Sequence, residues 1–118
     1  MGPVVVTGAS SGIGRACVER LAAAGVRTFA TVRKNADATA LVGALGPLVE
    51  PVIADVTDPE SLARAAGDIA GRLGDERLGG LVNNAGVALP GPAVIQPMAE
   101  MERVIDTNLI GAMRAVQA

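Results

Sequence analysis

The chain has 118 residues, half of them apolar, with a formal charge of -2, one cysteine and no histidine, tryptophan or tyrosine. This composition suits one small globular domain over residues 1–118 and excludes a disordered or fibrous chain. It also leaves no basic stripe for nucleic acid, no internal disulfide and no histidine-based metal set.

No apolar run reaches the roughly 18 residues that a membrane span needs. The start "MGPVVV" has neither the charged and apolar regions of a secretion signal nor a myristoylation motif. A reduced, metal-free, cytoplasmic protein is expected. Phe29 is the only aromatic residue, so the core must be built from valine, leucine, isoleucine and alanine.

In chain order, "PVVVT" (3–7) is a β-branched run closed by Gly8, which suits a strand buried on both faces. Residues 12–24 follow as a helix, with Ile13, Cys17, Leu21 and Ala24 at helical spacing and Gly25 as its stop. "VRTFATVR" (26–33) is the second strand, and 36–45 a weaker helix ended by Gly46 and Pro47. "LVEPVIAD" (48–55) is the third strand, where Pro51 is tolerable toward a sheet edge. Thr57 or Asp58 then caps a helix that begins near Pro59 and runs to Gly74. "LGGLVNNAG" (78–86) carries the fourth strand, followed by a loop rich in proline and glycine. The last segment, 98–117, reads as one long helix with Met101, Val104, Ile105, Leu109, Met113 and Val116 on its apolar side.

Four β-α units in series imply a parallel sheet with right-handed crossovers and helices on both faces. The expected architecture is α/β, a partial doubly wound, Rossmann-like sheet of about four strands in the order 3-2-1-4. Its switch point lies between strands one and four.

At that point stands "TGASSGIG" (7–14), with three glycines and two serines. It joins the C-terminal end of a strand to the N-terminus of a helix, where unpaired N–H groups and the helix dipole favour an anion. Gly8 permits the tight turn, Gly12 lets the backbone approach a pyrophosphate, and Gly14 permits close packing of helix on strand. Ser10 and Ser11 add hydroxyl donors, and Ile13 completes the turn. The absence of a lysine after the glycines excludes the Walker phosphate loop. A turn with no ligand is the competing reading.

These residues resemble the short-chain dehydrogenase/reductases. "TGASSGIG" looks like the cofactor loop of that family, "ADV" (54–56) like its adenine-contacting pair, and "NNAG" (83–86) like its fourth-strand signature. "DTNLIGA" (106–112) is similar to its active-site asparagine region, and "FATVRKNAD" (29–37) to the members acting on retinoids and steroids. The resemblance implies that the Asp55 carboxylate accepts from the adenine amino group while the Val56 N–H donates to the ring. Asn84, Ala85 and Gly86 would line the crevice beside the adenine ribose, Asn83 would tie strands together, and Asn108 would hold a catalytic water.

The end of the second strand bears on the choice of cofactor. A site for NAD places a carboxylate about 20 residues past the loop to hold the ribose 2′-hydroxyl, whereas a site for NADP has a nearby arginine. Here Val32 occupies that place and Arg33 and Lys34 follow, so NADP is expected over NAD, and Arg15 could add a third cation.

The family resembled protonates its substrate oxygen through a tyrosine tuned by a lysine, helped by a serine. This sequence has no tyrosine, and Lys34 is its only lysine. Residues 1–118 are therefore expected to be the cofactor-binding part of an alcohol/ketone oxidoreductase, cut before the Ser/Tyr/Lys region and inactive alone. The alternative is a non-catalytic nucleotide-binding or assembly module that complements a separate C-terminal half. Either way, the last helix and the edge of the fourth strand are expected to associate with a second copy.

Overall fold

A computed structural model describes all residues, 1–118. The elements alternate: β1 (Val4–Val6), α1 (Gly12–Ala23), β2 (Thr28–Val32), α2 (Asn35–Leu45), β3 (Val49–Ile53), α3 (Pro59–Leu73) and β4 (Gly80–Val82). The chain then runs through α4 (Met98–Ile105), a π-helical segment (Asp106–Ile110) and α5 (Gly111–Gln117). The four strands are parallel in the order β3-β2-β1-β4. The β-branched runs thus form the central strands of a partial Rossmann sheet, although each strand is shorter than its apolar run.

Every residue of β1 and β2 is buried, because helices cover both faces. Val4 and Val6 pack with Val18 of α1 and Leu41 of α2 on one side. Val5 and Phe29 pack with Leu62 and Ala65 of α3 on the other, where Ala115 of α5 joins them. Helix starts and stops follow the sequence signals. Asp58 caps α3 by accepting from the Glu60 N–H at 3.0 Å, and Pro59 fits the first turn. Gly25, Gly46 and Gly74 follow α1, α2 and α3 with positive φ.

The two edges of the sheet differ. Thr28 N donates to Leu48 O at 2.8 Å and Ala54 N to Val32 O at 3.0 Å, so the even-numbered residues of β3 face β2. Pro51 faces outward, where its missing N–H breaks no ladder. Arg72 covers the Pro51 carbonyl at 3.3 Å, and Arg72 and Arg27 both pair with Glu50. On the opposite side β4 pairs with β1 alone, which leaves its outer edge without a partner.

The long helix expected over 98–117 is present, and its middle, Asp106–Ile110, is a π-helical turn. Thr107 and Gly111 are buried against the sheet side, and the Asn108 side chain is drawn to the backbone of Val87. The wider turn accommodates both demands. Large apolar side chains consequently face outward: Ile105, Leu109 and Met113 are each more than half exposed.

Candidate functional site

The C-terminal ends of β1, β2 and β4 are sewn together by hydroxyl and amide side chains. Thr7 Oγ1 accepts from the N–H groups of Asn84 and Ala85, both at 3.0 Å. Asn84 Nδ2 donates to Thr7 O and Gly8 O, also at 3.0 Å. Gly8 N donates to Thr31 Oγ1 at 3.3 Å. The tie expected of Asn83 thus belongs to Asn84, because Asn83 is exposed while the Asn84 amide turns inward.

Above this floor opens a crevice of about 880 Å³. One wall is the turn into α1, with Gly8, Ser10, Ser11, Gly12 and Ile13. Gly8 and Gly12 have φ of 66° and 58°, and a Cβ on Gly12 would meet nothing within 4 Å. The turn therefore offers bare backbone beside the N–H groups of the first helical turn, which have no acceptors within the helix. Ser11 stands at the N-cap without a side-chain cap bond, so its hydroxyl is free. Gly14 lies behind the wall, where a Cβ would collide with Gly8 O and the Asn84 amide. This is the close helix-to-strand packing that its position suggests.

The second wall is the end of β3. Asp55 N donates to Ser61 Oγ at 3.0 Å, and Asp55 Oδ1 accepts from Thr57 N at 2.9 Å and Thr57 Oγ1 at 2.7 Å. The Thr57 hydroxyl and backbone N–H, with a smaller contribution from the Arg33 charge, hold the Asp55 carboxyl below the usual carboxylate range. Oδ1 takes both Thr57 bonds and leaves Oδ2 without a partner, and Asp55 lines the crevice. Val56 beside it is buried and pinned from α5: a Cβ on Gly111 would lie 2.7 Å from Val56 Cγ2, and Arg114 Nη1 donates to Val56 O at 3.4 Å.

Arg33 lines the crevice at the end of β2, after the buried Val32. Lys34 does not; it is the exposed N-cap residue of α2. Arg15 is outside as well, paired with Glu19 at 3.0 Å along α1. Asn84, Ala85 and Gly86 line the side below β4. Asn108 stands behind them, accepting from Val87 N at 2.8 Å and donating to Val87 O at 2.9 Å.

The chain matches, over residues 3–118, the family model described as short chain dehydrogenase. The chain belongs to the short-chain dehydrogenase family. Among its relatives, an NADPH-dependent 3-dehydrocapnine reductase of Ornithobacterium rhinotracheale is 35% identical over 96% of this chain and 40% of the relative. Human retinol dehydrogenase 16 is 36% identical over 93% of this chain and 35% of that enzyme. Among solved structures, a short-chain dehydrogenase from Streptomyces avermitilis superimposes with a TM-score of 0.88 at 34% identity. That match covers 98% of this chain and 42% of the other. A 3-ketoacyl-(acyl-carrier-protein) reductase of Brucella melitensis, solved with NADH, gives 0.89 at 26% identity, covering 98% and 47%. The chain thus spans under half the length of these relatives.

The short-chain dehydrogenase residues that sequence reasoning missed are of two kinds. Thr7, Thr31, Thr57 and Ser61 act through hydroxyls whose partners are distant in sequence or hidden in a turn. Ala99, Arg103 and Thr107 form part of the third wall, contributed by α4 and the π-helical segment. Their spacing of four was legible, but nothing in the sequence says which stripe of that helix faces the crevice. No helix is long and apolar enough to cross a membrane.

Proposed function

We propose that residues 1–118 are the adenosine-binding half of an NADP-dependent short-chain oxidoreductase that interconverts a hydrophobic secondary alcohol and its ketone. The observation that carries the choice of NADP is the end of β2. Val32 is buried, no carboxylate stands at that place, and Arg33 faces the crevice. A 2′-phosphate meets a cation there, whereas a bare 2′-hydroxyl meets no acceptor. The α1 turn suits the pyrophosphate because it presents N–H donors with no side chain in the way. Asp55 Oδ2 and the Val56 N–H are the pair for the adenine edge.

When bound, a nicotinamide supplies the hydride chemistry. These residues supply binding and orientation but no proton donor, since there is no tyrosine and Lys34 lies outside the crevice. The 118-residue chain alone is therefore an inactive binding unit. A cytoplasmic location and a homo-oligomer formed through the last helix and the β4 edge complete the proposal. The unpaired edge and the exposed Leu109 and Met113 support the second of these.

Calorimetry on the chain tests this reading. NADP and adenosine 2′,5′-bisphosphate should bind more tightly than NAD, by about tenfold to a hundredfold for charge-assisted phosphate contacts. Arg33→Ala should abolish the difference, and NADPH should not be consumed with ketones present. Equal affinities for NAD and NADP would refute the assignment.

A further inference from the structure

The wall of the crevice formed by α4 and the π-helical segment carries a cation with no assigned task. Ala99, Arg103 and Thr107, spaced by four, form one stripe of the helix that faces the crevice, flanked by Glu102 and Asp106. Asp106 is engaged by Arg114 at 2.9 Å. The Arg103 side chain makes neither an ion pair nor a hydrogen bond, so its guanidinium is free to meet a ligand.

Its place along the crevice follows from its neighbours. Thr107 is buried and Gly111 sits against Val56, so this helix rests on the Asp55–Thr57 turn. Arg103 stands one turn before Thr107 on the same helix and lines the same crevice as Asp55 and Thr57. The phosphate turn lies on β1, and the Arg33 charge reaches Asp55 from the end of β2, so Arg103 is the cation that the helix side contributes to this crevice.

A purine in this crevice presents a flat face on which a planar group stacks well. The chain has one aromatic residue, Phe29, and it is fully buried within the sheet. A guanidinium is the planar alternative, and arginine stacks on aromatic rings in a way that lysine does not. We infer that Arg103 is a base-binding residue whose guanidinium lies against the adenine face from the α4 side, while Asp55 and Val56 take the edge of the base. This rests on the reading of the crevice as an adenine-dinucleotide site.

The role separates from that of Arg33 because adenine is common to NAD and NADP. Arg103→Ala in the 118-residue chain should weaken NAD and NADP by the same factor, about threefold to thirtyfold for a cation–π contact. Binding of inorganic pyrophosphate should be unaffected. Arg103→Lys should recover only part of the loss, since it restores charge but not the plane. Wild-type affinity in Arg103→Ala, full rescue by lysine, or an equal loss for pyrophosphate would each overturn the inference. If Arg33→Ala still removes the NADP preference in that case, the nucleotide site stands and only the role of Arg103 falls. If the wild-type chain binds neither nucleotide, both fall.

Discussion

The two oxygens of Asp55 are engaged differently. Oδ1 closes the turn onto Thr57, while Oδ2 has no hydrogen-bond partner in a residue that lines the crevice. An asparagine at this position would keep an acceptor for Thr57 but could not also offer a second oxygen. Asp55→Asn should therefore retain most of the stability while weakening adenosine 2′,5′-bisphosphate about tenfold, as expected for one charged hydrogen bond. The pH dependence has a definite sign. A carboxyl held low in the folded state stabilises the fold above its unfolded value, and this contribution is lost as pH falls through the lower folded value. The stability difference between wild type and Asp55→Asn in urea should thus shrink only below the ordinary carboxylate range. A constant difference down to strongly acidic pH would contradict the Thr57 bonds. Asp55 was legible in the sequence because a carboxylate just past a buried strand is chemically conspicuous. Ser61, which holds the same turn, was not, since a serine in a first helical turn looks like ordinary helix chemistry.

At the scale of elements, the last helix packs on the sheet through small residues and turns its large ones away. Thr107 and Gly111 are buried, and Ala115 packs against the Phe29 side of the core. Gly111→Ala tests this. Alanine favours a helix by about 1 kcal/mol over glycine, but its Cβ would stand 2.7 Å from Val56 Cγ2, and overpacking typically costs about 1 to 3 kcal/mol. The second effect should win, with a lower Tm and weaker nucleotide binding through the displaced Val56. An unchanged Tm and affinity would show that the helix can lift off freely. The strands and their order were readable because β-branched runs alternating with helical patterns admit few topologies. The π-helical segment was not readable. It coincides with Asn108 reaching Val87 across a loop, a pairing between positions far apart in sequence that no periodicity encodes.

For the molecule as a whole, one flank of the sheet is sealed and the other is open. Proline, Arg72 and the Glu50 ion pairs occupy the β3 flank, whereas β4 presents unpaired backbone, and Leu109 and Met113 are exposed on the last helix. Association through these surfaces should be weakened by Leu109→Glu, which places a charge in an apolar contact, and sedimentation of both proteins checks this. A soluble wild-type monomer at high concentration would refute it. The asymmetry also bears on where such an assembly would stop. A body that is adhesive on a single side could satisfy itself with one mate and then have nothing left to offer, so growth would terminate at a pair; two adhesive sides would instead propagate into a filament.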